Sequence, residues 1–242
     1  MPVFFLVFFL ESCGIESYHY LPPVPSSNIT SSLNQFATIL LPGISSNDFT
    51  HFAFYYRIYI SYSNRTGFSL SSEDLREINQ TLYSDYSYLN PYTSTTNTTT
   101  VNIASVMSNR GYQPLYFETS SGDISGSILN NSGIEIHLEF PSNNTPYLRI
   151  GSDSFPLKRS DGGGSFTPLP PDRYFRNTSD LNNDANITTT TNADVVGPSS
   201  GGSGIRHAYV SLYIVSAGLN EQTYTPIFSI PSFVGIFLLP NQ

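Results

Sequence analysis

Apolar residues fall along this chain in short runs with a period of two, separated by clusters of turn-forming residues. The clearest run covers residues 50–62. There Phe52, Phe54, Tyr56, Ile58 and Ile60 share one face, while Tyr55, Arg57 and Tyr59 point the other way. Further strands are expected at 36–41, 113–119, 124–129, 134–140, 147–150, 207–218 and 227–239. Two segments depart from this period. Leu75, Ile78 and Leu82 lie at helical spacing behind a capping Ser71 and the early acids Glu73 and Asp74, which predicts a helix over 71–83. Residues 102–108 predict a second, shorter helix that stops near Gly111. Many short strands with frequent turns predict a mainly β protein, an antiparallel β-sandwich with one or two short helices.

The extreme N-terminus follows a different rule. Residues 3–10 are an unbroken apolar run, followed by Glu11, Ser12, Cys13 and Gly14. The run is too short to cross a bilayer, which takes about 20 helical residues. It matches the roughly 7–15 residues of a signal-peptide core. A small residue before a cysteine at the end of such a run is how a lipoprotein signal ends. Residues 1–12 are therefore expected to be a signal peptide, with Cys13 the lipid-bearing first residue of the mature chain. Two features oppose this: no Lys or Arg precedes the run, and Glu11 sits close to the expected cleavage point. A basic segment upstream of a mis-assigned start would remove the first objection. A buried strand with a free thiol is the competing reading.

Residues 13–32, with the prolines Pro22, Pro23 and Pro25 and a polar Ser-rich end, predict an extended tether. Residues 33–242 then form a single β-rich domain, long enough to bury a substantial core. Within it, 177–204 is of low complexity, with a threonine run and a Gly/Ser/Pro tract, and predicts a disordered loop joining two strands. The stretch beyond it is too short for a core of its own.

Composition narrows the functional classes. Charged residues make up 12% of the chain, with 17 Tyr, 17 Phe and no Trp. The formal charge is −8, and loss of residues 1–12 would take Glu11 with it and leave −7. Such a chain lacks the basic footprint that nucleic-acid binding requires. Charge does not favour anionic lipid either, so membrane attachment is expected through the lipid on Cys13, palmitate included. One cysteine forbids an internal disulfide. Asn-x-Ser/Thr sequons such as Asn28 and Asn64 arise by chance in so Asn- and Thr-rich a chain.

No strong catalytic or cofactor motif is present. Glu135, His137 and Glu139 share one strand face and could hold zinc or act as acid and base, although plain strand alternation produces the same pattern. Asp180–Asn186 offers oxygens like the start of a calcium loop, but Ala185 and Thr191 stand where that loop needs glycine and glutamate. The Gly-rich turn at 161–165 lacks the Lys-Ser/Thr of a phosphate loop, and Gly201–Gly204 does not match a nucleophile elbow. His19, His51, His137 and His207 have no metal-ligand spacing. Tyr18, Tyr20, Tyr86, Tyr88 and Tyr92 lie in polar stretches, where exposed tyrosines can anchor protein or glycan partners.

Phe9-Leu-Glu-Ser-Cys-Gly14 followed by Tyr20-Leu-Pro-Pro23 resembles the start of uncharacterised lipoproteins of spirochaetes, treponemes in particular. The end of the chain, 208–218 with 226–231 and 233–240, is similar to the ends of such proteins. The resemblance implies a lipidation signal tolerant of Glu11. It transfers no catalytic residue and no cofactor. The expected role is that of a lipid-anchored envelope protein on the extracytoplasmic side, in the outer membrane or periplasm, acting in binding or structure rather than as an enzyme. A secreted adhesin for host protein or glycan, and an extracytoplasmic metal-binding hydrolase using Glu135, His137 and Glu139, are the alternatives.

Overall fold

A computed structural model describes residues 21–33, 35–61, 67–94, 103–120, 122–124, 129–130, 133–141, 144–160, 175, 194–197 and 207–239. The second sheet organises them. Strands β3 (Phe49–Ser61) and β11 (His207–Leu219) pair antiparallel along their whole length, from His207 opposite Ser61 to Gly218 opposite Phe49. Strands β12 (Pro226–Phe228) and β13 (Ser232–Leu238) continue the sheet beyond β11. On the other side β3 carries β4 (Gln113–Pro114) and β10 (Val195–Val196), the latter parallel.

The first sheet has seven strands, all pairings antiparallel, in the order β1 (Ile29–Ser32), β2 (Phe36–Leu40), β7 (Glu135–Glu139), β8 (Tyr147–Ile150), β9 (Asp153–Lys158), β5 (Tyr116–Thr119), β6 (Gly122–Ile124). The protein is mainly β, and its two sheets pack as a sandwich. Phe52, Phe54, Tyr56, Ile58 and Ile60 of β3 form the core with Ile136, Leu138, Leu148 and Leu157 of the first sheet.

The alternation along β3 is as expected, but from Phe52 onward both faces are largely covered. The face bearing Tyr55, Arg57 and Tyr59 is covered by α1 (Ser72–Ile78), α2 (Gln80–Ser94) and α3 (Ile103–Asn109). Leu75, Ile78 and Leu82 pack on Tyr59, Tyr209 and Ile236, while Leu89 and Met107 pack on Ala53, Tyr213 and Val215. The sandwich thus gains a third, helical layer.

Three helices stand where one or two were expected, because 71–83 is broken at Asn79. Ser71 caps α1, its hydroxyl accepting the Asp74 N–H at 3.2 Å. Asn79 then leaves helical geometry, and its Oδ1 accepts the N–H groups of Thr81 (2.8 Å) and Leu82 (3.2 Å), capping α2. Its Nδ2 donates to the Ile60 carbonyl of β3 at 2.9 Å. One asparagine therefore closes one helix, opens the next and fastens both to the sheet.

Other departures concern strands and connections. The expected strand 113–119 is two strands in different sheets; the chain crosses at buried Leu115, whose N–H donates to the Phe54 carbonyl at 2.9 Å. Of the strand expected at 124–129, only Ile124 falls in β6; Leu129 lies outside any strand, and 125–128 lie outside the described residues. The strand expected at 227–239 is likewise divided, into β12 and β13.

The tether expected over 13–32 is corrected from Leu21 onward. Leu21 and Val24 are buried, the Pro22 carbonyl accepts from Ser216 Oγ at 2.6 Å, the Val24 carbonyl accepts from Ser232 Oγ at 2.7 Å, and β1 is an edge strand. In the loop expected at 177–204, residues 194–197 are docked on β3 through β10; the remainder lies outside the described residues, as do residues 1–20.

Candidate functional site

The densest polar chemistry lies between the second sheet and the helices. Asp85 occupies the buried stripe of α2 between Leu82 and Leu89, where helical spacing would ordinarily place an apolar residue. A carboxylate there must be paired. Arg57 Nη1 of β3 lies 2.5 Å from Asp85 Oδ2, Tyr59 OH donates to the same oxygen at 2.7 Å, and Arg110 Nη1 stands 3.4 Å from Oδ1. Tyr59 OH is also 3.1 Å from Tyr112 OH, which is 3.0 Å from Ser211 Oγ on β11.

Gly111 makes room for this cluster. Its φ is +74°, and a side-chain carbon there would stand 2.9 Å from the Arg57 guanidinium. Among the described residues, neither Arg57 Nε nor the fully buried Tyr213 hydroxyl finds a hydrogen-bond partner. Burial pushes the Tyr59, Tyr112 and Tyr213 hydroxyls upward, Tyr59 further through Tyr112 and Asp85. They stay protonated, Tyr59 and Tyr112 as donors, and provide no base. The cluster ties α2 and the end of α3 to the sheet.

A second buried cluster crosses the sandwich itself. Arg159, just past β9, grips Asp194, just before β10, through Nε–Oδ2 at 2.8 Å and Nη2–Oδ1 at 2.9 Å. Tyr56 OH donates to Asp194 Oδ2 at 2.7 Å and accepts the Ser160 N–H at 2.7 Å. Burial opposes the Arg159 charge and the adjoining Asp194 carboxylate more than offsets this, so the guanidinium stays charged. The Asp194 carbonyl also accepts the Ile58 N–H at 2.8 Å, which sets the register of β10. Sheet one, sheet two and the 194–197 segment meet at this clamp.

Glu135, His137 and Glu139 do share the outer face of β7, with Ile136 and Leu138 turned inward. Their side chains then part company. His137 Nε2 lies 3.0 Å from Glu135 Oε1, and its Nδ1 lies 3.1 Å from Thr38 Oγ1. Glu139 instead accepts from Tyr147 OH at 2.5 Å and from Arg149 Nε at 3.3 Å. The two glutamates stand four residues apart, roughly 13 Å along the backbone, and their carboxylates engage different partners. Among the described residues no group of three or more His, Cys, Asp and Glu could hold a metal ion.

His51 and His207 lie near opposite ends of the second sheet, and burial lowers His51. Tyr86 is half-buried with its ring against Phe233 at 5.1 Å, which leaves it little use as a surface anchor. Tyr88 is 39% exposed beneath the Arg110 guanidinium, 3.8 Å from its ring centroid. Cys13, Tyr18, Tyr20, His19, the turn at 161–165, Asp180–Asn186 and Gly201–Gly204 lie outside the described residues, and so does the Tyr92 side chain. No helix among the described residues is long and apolar enough to cross a membrane.

Sequence reasoning passed over Asp85, Arg159 and Asp194. Its one available signal was a pair of charges in apolar stripes: Arg57 in the strongest strand, and Asp85 three residues after Leu82 and four before Leu89. Comparisons with protein-family models, with curated proteins and with solved structures find no match to this chain.

Proposed function

We propose that this chain is a lipid-anchored protein of the cell envelope, held by lipid on Cys13 on the extracytoplasmic side, with a binding or structural role and no enzymatic one. The observation that carries the reading is the apolar run 3–10, separated from the only cysteine by two residues. The folded domain begins soon after, since Leu21 is 1% exposed. An anchor eight residues ahead of buried Leu21 would leave the described fold outside the membrane. Asp85, Asp194 and Glu139 are each engaged by an arginine and a tyrosine side chain, which supports a binding or structural role over hydrolysis.

Growth with labelled palmitate tests the anchor. The wild-type chain is expected to incorporate label and Cys13→Ala to incorporate none. Equal labelling of both would remove Cys13 from the account. The secreted-adhesin reading draws on the exposure of Tyr88 and Tyr224, and a glycan array with a cell-binding assay separates it from a purely structural role.

A further inference from the structure

We infer that the end of the sandwich bearing Leu219 and Tyr224 rests against the lipid surface, with Tyr224 set into the interface. This rests on the anchored reading of Cys13. The chain enters the fold at that end: Leu21 Cδ1 lies 3.1 Å from where a side-chain carbon on Gly218 would stand, and Ser216 holds the Pro22 carbonyl. Eight residue steps separate Cys13 from Leu21, a reach of at most about 28 Å when fully extended. Strand β11 runs 13 residues from this end to the other, about 40 Å. The sandwich therefore cannot stand upright on its far end, beyond His207, since Leu21 would then lie about 40 Å above a bilayer that holds Cys13.

The near end is built to present an aromatic ring. Tyr224 is 77% exposed, the most exposed of the large apolar side chains described, and Leu219 beside it is 39% exposed. Tyr224 is also the one non-glycine residue among those described with positive φ, at 54°. A strained tyrosine persists only where its surroundings fix it. Here the Asn220 side chain accepts the N–H groups of Gln222 and Thr223 at 2.9 and 3.1 Å, and the Asn220 carbonyl accepts the Tyr224 N–H at 2.8 Å.

Tyrosine suits the boundary between headgroups and acyl chains, its ring in the apolar side and its hydroxyl in water. Glu221 and Asp48 meet in the same turn, the Glu221 N–H donating to Asp48 Oδ1 at 3.2 Å. Contact is thus through the ring and Leu219; residues 219–226 carry no lysine or arginine, which fits zwitterionic lipid.

The chain has no tryptophan and one cysteine, so both probe and anchor can be placed uniquely. The mature chain, residues 13–242, is coupled through Cys13 to a maleimide lipid in phosphatidylcholine vesicles carrying brominated acyl chains. Tyr224→Trp is expected to be quenched about twofold or more relative to Leu70→Trp, which reports from the exposed chain just ahead of α1, near the far end. Leu219→Trp reads the same near end should Tyr224→Trp disturb its turn. Equal quenching at both ends, or none at 219 and 224, overturns the orientation and would leave this surface to a protein partner. The coupling is chemical, so failed palmitate labelling in cells would sink the anchor without altering the vesicle result. Unquenched near-end probes would sink the orientation and leave the anchor standing.

Discussion

Replacing Asp194 by alanine is expected to cost about 3–5 kcal/mol of folding stability, enough to unfold a domain of ordinary stability or bring it close to unfolding. The carboxylate is fully buried, receives both forks of Arg159 and accepts from Tyr56. Its loss leaves a guanidinium in the sandwich without its counter-charge, and the penalty comes from that stranded charge more than from the lost bonds. Replacing Asp194 and Arg159 together by leucine and methionine is therefore expected to recover most of the loss. Urea unfolding of the three chains measures this. A cost below about 1 kcal/mol for the single variant, the scale of an exposed pair, would show that the clamp is not closed as described.

Raising the pH is expected to unfold the protein cooperatively, between about pH 11 and 12.5. Tyr56, Tyr59, Tyr112 and Tyr213 are buried, and burial pushes each well above the ordinary value of 10.0. The unfolded chain releases these protons near pH 10 while the folded chain keeps them. Their contribution is therefore whole below pH 10 and is lost as pH rises above it. Each group removes about 1.4 kcal/mol per pH unit, and four together about 5. Net stabilities of about 5–15 kcal/mol cannot withstand that for long. Circular dichroism and tyrosinate absorbance should change together. Separate titration of all tyrosines near pH 10 with the β signal intact would contradict the burial.

The sequence carried the central sheet well and its surroundings poorly. Strands β3 and β11 were legible because thirteen residues of alternating apolar and aromatic character admit few other readings. Alternation could not say that the second face of β3 is also covered, since tyrosines suit a wet face and a buried one alike. The helix at Ser71 was visible through its cap; its break was not, because the Asn79 side chain decides it by capping α2 and bonding β3. Strand β9 contains Pro156 and β10 has two residues, so neither has a pattern to read. The prolines at 22–25 looked like a spacer, yet Leu21 and Val24 are core residues. Apolar side chains beside prolines give no sign of what they pack against.

The candidate chemistry divides in the same way. Period-two placement put Glu135, His137 and Glu139 on one face correctly, but partners from other strands, Thr38, Tyr147 and Arg149, determine what those side chains do. The clamp joins residues 56, 159 and 194, and the helix cluster joins 57, 85 and 110. Neither spacing is periodic, so only the topology brings those residues together.

Cys13 remains the point on which the functional account turns. Intact-mass and N-terminal peptide mass spectrometry of the protein extracted from cell membranes tests it most directly. The account predicts a chain beginning at Cys13 and carrying acyl-glycerol mass on that residue. A chain that retains residues 1–12, or that starts elsewhere with an unmodified thiol at position 13, would contradict it.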